Sequence, residues 1–226
     1  MGNRRKRNTR LVLEMLEMQD RLNVATCGPD WRSGICKKTD TSEGRIINWL
    51  KCIAMETAEY LDSFNWKHWK DVNSEHDLDN AKVEVVDIWH FMMSQALATG
   101  MDLHEFADNV AYREGFIVTA NEESIFKYFM SADKEAFMSY RYLTAFMYMM
   151  RKAKLSFDDL YKMYMGKNAL NIFRQECGYD MGNYVKYWPV GWTDEPVEDN
   201  IVMQHVIETK KPEEYLETLK EIYFNK

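Results

Sequence analysis

Two short acidic spacings are the part of this sequence best suited to chemistry: Glu56-x-x-Glu59 and Glu84-x-x-Asp87. Three residues advance an α-helix by about 300°, so each pair projects from one face with its carboxylates about one turn apart. Carboxylates grouped in this way can hold hard divalent cations, Mg²⁺ first and Mn²⁺ next, and leave positions open to phosphate oxygens. E-x-x-E by itself is common on solvated helix faces, and Glu56 and Glu59 alone decide nothing. Glu84 and Asp87 weigh more, because Val83, Val85, Val86, Ile88, Trp89, Phe91, Met92 and Met93 cover nearly every direction around their helix. These two acids must point into protein, where unpaired charge is costly or takes up a proton. Lys82 is the only basic residue between Asn80 and Gly100. Neutralising charge therefore has to come from elsewhere.

Lys167, Asn171 and Arg174 follow at i, i+4 and i+7, with Asn168 and Gln175 adjacent. This lines one helix face with cation, amide and guanidinium, a phosphate clamp or an ordinary solvated face. The next segment, Gly178-Tyr179-x-x-Gly182-x-Tyr184-x-Lys186, is an aromatic and basic loop able to close over a ligand. Gln19 and Asn23 are i, i+4 amides beside an apolar stripe, which can read a base edge or be surface polarity.

These groups need helices to hold them. All four prolines, Pro29, Pro189, Pro196 and Pro212, lie outside residues 30–188, and widely spaced glycines complete an all-α pattern. Apolar spacing predicts a first helix over 9–25, an amphipathic helix over 45–64 and a central buried helix over 81–97. Further helical stretches over 100–155 are broken at Gly100, Gly115 and Ser131. Ser156 with Asp159 reads as a capping box opening a helix to about Gln175. Residues 178–200 read as loop and 212–224 as a last short helix. With 226 residues, 46% of them hydrophobic, this is a single domain over 11–226, a helical bundle in which 100–155 form a smaller, variable helical lobe.

The net charge is −7, yet Arg4, Arg5, Lys6, Arg7 and Arg10 crowd the first ten residues, which read as a basic, frayed tail. The acidic remainder repels nucleic acid. No stretch has the length and apolarity of a membrane span or a secretory signal, which makes the expected location cytoplasmic. Cys27, Cys36, Cys52 and Cys177 lack disulfide-framework or zinc spacing and read as reduced thiols. The sixteen methionines read as core filler.

Taken together, the motifs resemble the dimeric all-α dUTPases, a branch of the all-α nucleoside triphosphate pyrophosphatases. The resemblance rests on Met18-Gln19 with Leu22-Asn23, on Met55-Glu56-x-x-Glu59 running into Asp62-Ser63-Phe64-x-Trp66-Lys67-x-Trp69-Lys70, on Glu84-x-x-Asp87-x-x-His90-Phe91, and on Gly166-Lys167-Asn168-x-Leu170-Asn171-x-x-Arg174-Gln175-x-x-Gly178-Tyr179. It implies Mg²⁺, with Mn²⁺ as a substitute, held by Glu56, Glu59, Glu84 and Asp87. It also implies hydrolysis of dUTP and dUDP to dUMP by an activated water, with release of pyrophosphate or phosphate and Glu59 as general base. By the same resemblance Gln19 and Asn23 hold uracil, and Trp66 and His90 border the nucleoside. Lys167, Asn171, Arg174 and Tyr179 hold phosphates, Lys186 helps close the site, and the enzyme is a homodimer whose interface lies in 126–150 or on the buried helix. His90 also reads as a hydrogen-bonded buried histidine. The basic N-terminus is extra to the family pattern and 100–155 match it weakly.

A relaxed dCTP/dUTP pyrophosphatase stays open beside dUTP specificity. Asp87-x-x-His90 mimics half of a di-iron ligand set, but no second copy is present. His76-Asp77 lacks the flanking histidines of a metal phosphohydrolase. A non-catalytic helical interaction protein with a decayed metal site is the remaining alternative.

Overall fold

The structure, a computed structural model, describes residues 2–37, 43–69, 71, 73–115, 120–131, 134–137 and 139–224. Within them the chain runs through α1 (Gly2–Cys27), α2 (Trp49–Asp62), α3 (Leu78–Thr99), α4 (Leu103–Glu114), α5 (Glu122–Ile125), α6 (Tyr140–Lys152), α7 (Phe157–Glu176), α8 (Asp199–Thr209) and α9 (Tyr215–Phe224). Two antiparallel pairs of two-residue strands, β1 (Ile35–Cys36) with β2 (Arg45–Ile46) and β3 (Tyr187–Trp188) with β4 (Val197–Glu198), pin the loops. The fold is all-α.

Its axis is α3, as its continuous apolar surface requires. Asp77 opens the helix by accepting from the Asn80 amide at 2.9 Å, and Gly100 ends it in the left-handed region at φ 68°. Ala81, Val85, Val86, Ile88, Trp89, Met92, Met93 and Ala96 are all buried. α2 packs along α3, and α1 and α7 flank it. Ser156 and Asp159 form the expected capping box of α7. Gly166 of α7 lets α8 approach closely, since a Cβ there would lie 2.4 Å from Ile207 Cδ1. Eight of the methionines, Met15, Met92, Met93, Met147, Met149, Met150, Met165 and Met203, are buried in the core as filler.

The sequence expectations need correcting at several places. Residues 2–10 are not a frayed tail but the first turns of α1, where Arg4 pairs with Glu114, Arg5 with Asp108 and Arg7 with Asp158, while Asn8 is buried. Acids on other helices supply the countercharge that the decapeptide lacks. Within residues 100–155, Phe106 and Phe146 both stack on Trp89, at 5.9 and 5.4 Å between centroids, and share one apolar core with the rest of the fold. Arg45 and Ile46 are strand rather than helix, since Asn48 caps α2 by accepting from the Lys51 amide at 3.0 Å. The segment 178–200 contains the β3–β4 pair, and the helix α8 that follows it had no counterpart in the periodicity. In the aromatic-rich stretch 126–150, Phe129, Tyr142 and Phe146 are buried while Phe126 and Tyr140 are exposed.

Candidate functional site

Packing of α2 on α3 brings three of the four predicted carboxylates together: Glu56, Glu84 and Asp87 each offer an oxygen within 4.8 Å of the others. Glu84 is buried and hydrogen-bonded to Glu56. Burial, then the charges of Asp87 and Glu56, push the Glu84 carboxyl up to about 8. Burial and Asp87 also raise Glu56, against the pull of its bond to Glu84. Glu59 is not part of the trio. It is exposed one turn beyond Glu56, pairs with nothing among the described residues, and still adds its charge to the field on Glu56 and Glu84. Among the described residues the cation bound to the trio is Lys167 of α7, whose Nζ lies 3.0 Å from Asp87 Oδ2. Three crowded carboxylates answered by one ammonium are a hard-oxygen donor set short of positive charge, which fits a divalent cation such as Mg²⁺ or Mn²⁺.

Beside this cluster, three helices each contribute an i, i+4 pair to a buried polar network: Gln19 and Asn23 of α1, His90 and Ser94 of α3, Tyr164 and Asn168 of α7. Gln19 Nε2 donates to Asn23 Oδ1 and Ser94 Oγ, both at 3.0 Å. Gln19 Oε1 accepts from Tyr164 at 3.3 Å and lies 2.7 Å from His90 Nδ1. An amide oxygen can only accept, so Nδ1 carries the proton and His90 Nε2 presents a lone pair. That atom is buried and has no hydrogen-bond partner among the described residues. Burial, then the charge of Lys167, lowers His90 to about 3, so it is a neutral imidazole.

A cleft of about 310 Å³ opens between α1, α3 and α7. Seven predicted residues line it: Gln19, Asn23, Asp87, His90, Asn171, Arg174 and Tyr179. Lys167 stands one turn before Asn171 on the same face of α7. Arg174 donates through Nη1 to Asn171 Oδ1 at 3.2 Å, and the Tyr179 ring centroid lies 5.7 Å from its guanidinium carbon. Trp66 and Lys186 are not brought to the cleft. Trp66 is exposed and donates to Asp62 Oδ1 at 3.3 Å with Trp69 against its edge, and Lys186 pairs with Glu198 at 2.5 Å.

Sequence reasoning missed Trp49, which lines the cleft and stacks on Phe91 at 5.9 Å. It sits on the apolar stripe of α2 and is indistinguishable there from a core residue. Ser94 was missed too, although its place one turn after His90 is a signal, and so was the buried Asp199. No curated protein matches the chain. A family model described as dUTPase matches residues 12–179, which span the carboxylates, the polar network and the cleft wall of α7. By that match and its all-helical fold, the chain belongs to the dUTPase family and is a dUTP-hydrolysing enzyme.

Proposed function

We propose that the chain is a divalent-cation-dependent dUTP diphosphatase that also accepts dUDP and yields dUMP. The observation that carries this reading is the position of Asp87, which belongs both to the carboxylate trio and to the cleft wall. A nucleoside lying in the cleft thereby has its phosphates directed at the acids. Glu56, Glu84 and Asp87 would hold Mg²⁺, or Mn²⁺ in its place, with Glu59 beside them. A cation held there would offset the triphosphate charge and make the attacking water more acidic. Glu59, exposed and without a partner among the described residues, takes the proton from the attacking water as general base. Lys167, Asn171, Arg174 and Tyr179 hold the phosphate chain, and Lys186 and Trp66 join only if their loops move.

Base choice follows from the polar network. Uracil carries a hydrogen on N3 and cytosine a lone pair there, so the unpartnered Nε2 lone pair of His90 suits uracil and opposes cytosine. Asn23 keeps one amide hydrogen beyond the one given to Ser94 Oγ at 3.1 Å, enough for a uracil carbonyl. This observation favours dUTP over the relaxed dCTP/dUTP reading. The exposed Ile46, Met55, Trp66 and Trp69, on α2 and its flanking segments, are apolar surface for a second copy to cover, in support of a homodimer.

The test is turnover of dUTP, dUDP, dCTP and dTTP by purified protein with Mg²⁺, with and without chelator. Pyrophosphate release from dUTP, abolished by chelator, is the expected result. Undiminished turnover in chelator would remove the cation from the reaction, and no turnover of any nucleotide would leave a helical binding protein.

A further inference from the structure

Asp199, the first residue of α8, has a fully buried side chain and lies beyond the segment matched by the family model. Three donors converge on it. Arg174 Nε and Nη2 meet its two oxygens at 2.8 and 2.7 Å, and the Tyr184 hydroxyl donates at 2.6 Å. A buried ion pair is often no more stable than apolar residues of the same volume, so stability alone gives no reason for a charge at this point. Its effect on Arg174 does.

A guanidinium has five donors. Two go to Asp199 and one, on Nη1, to Asn171, which leaves a single hydrogen on each terminal nitrogen. Arg174 stands on the cleft wall, its side chain only 13% exposed. The two remaining hydrogens are what it can offer an anion, and their direction is set before the anion arrives. An arginine without such a hold would have to be ordered by the ligand at the expense of affinity. The hold is itself supported: the Tyr184 ring stacks on Tyr223 of α9 at 5.8 Å, with 5° between the planes, and the Asp199 amide donates to Lys186 O at 2.9 Å.

We infer that Asp199 is a positioning residue: through Arg174, and with Tyr184 as its support, it aims the guanidinium at the phosphate chain of the bound nucleotide. This rests on the phosphate-binding role proposed for Arg174. Charge and orientation give opposite signs here. Removing a carboxylate from the neighbourhood of a triphosphate tightens binding if only the field matters, and weakens it if the carboxylate aims the arginine.

The experiment compares binding of α,β-imido-dUTP with Mg²⁺ and binding of deoxyuridine, by calorimetry and NMR titration, in wild type and Asp199→Asn. The analogue should bind about tenfold more weakly, as for one lost charge-assisted hydrogen bond, with deoxyuridine unaffected. In an Arg174→Ala background, Asp199→Asn should add no more than about twofold, because its effect passes through the arginine. Tyr184→Phe keeps the ring stack, removes only the hydroxyl, and should weaken the analogue about threefold with the same dependence on Arg174. Should Asp199→Asn fail to fold, the Tyr184→Phe cycle decides the matter. Tighter or unchanged analogue binding, equal losses for both ligands, or full additivity with Arg174→Ala would overturn the positioning role. A wild type that binds the analogue but does not turn over dUTP would count against the reaction and not against Asp199.

Discussion

α3 carries two polar pairs within three turns, and they are built in opposite ways. Glu84 and Asp87 face Glu56 in a cluster whose members repel one another and whose bound protein cation is Lys167. His90 and Ser94 face Gln19 and Asn23 in a network of neutral groups that leaves two acceptors without partners among the described residues, Asn168 Oδ1 and, on the cleft wall, His90 Nε2. The first is deficient in charge, the second only in directed hydrogen bonds. A charge deficit is made up by any ion of the right sign and hardness, whereas an orphaned acceptor on the cleft wall asks for a donor at one place. On the function proposed above, the same helix would separate the binding of cation and phosphate from the reading of the base.

The contrast can be broken at either end. Chelation attacks the deficient cluster directly, and turnover should fall at least about a thousandfold, since a divalent ion supplies several kcal/mol of charge stabilisation. A pyrophosphate-release assay reads this. Glu59→Gln is expected to lower kcat by about 10²–10⁴-fold with little change in KM or in melting temperature, as fits an exposed general base. Loss of folding instead would make Glu59 structural. At the neutral end, His90→Gln can turn an amide donor toward the base, so kcat/KM for dUTP should fall about tenfold while that for dCTP does not fall. Equal losses for both nucleotides would show that His90 does not read the base.

The smallest effect distinguishes the clusters by the sign of their pH dependence. In the metal-free protein Glu84 titrates at about 8 against an ordinary 4.5, so over that interval the folded chain keeps a proton that the unfolded chain has lost, and stability falls as pH rises. His90 titrates at about 3 against 6.5, so the unfolded chain takes up a proton the folded one refuses, and stability falls as pH drops from 6.5 toward 3. Between 4.5 and 6.5 the two slopes oppose. Melting temperatures in chelator should therefore decline on both sides of this interval. Saturating Mg²⁺ should abolish the alkaline decline, because the cation replaces the proton. An alkaline arm that ignores Mg²⁺, or that survives Glu84→Gln, would detach it from the carboxylates.

Much of this was legible in the chain. The apolar wrap of Val83 to Met93 marked α3 as central and forced Glu84 and Asp87 inward, and Ser156 with Asp159 marked the start of α7. These signals are local: periodicity and capping depend on neighbours a few residues away. The N-terminal arginines were misread because their partners, Glu114, Asp108 and Asp158, are more than a hundred residues distant in the chain. Asp199 was invisible for a similar reason, since burial of an acid in a polar stretch depends on Arg174 and Tyr184 reaching it.

Residue spacing by itself determined that acids, amides and cations would each lie along single helix faces, because the turn of a helix is the same whatever surrounds it. Only the packing of α1, α2, α3 and α7 decided that Glu56 would join Glu84 and Asp87 while Glu59 stayed outside, that Lys167 would reach Asp87, and that Trp49 rather than Trp66 would line the cleft. Distances between side chains on different helices are set by how their ridges and caps meet, and one-dimensional spacing holds no information about that.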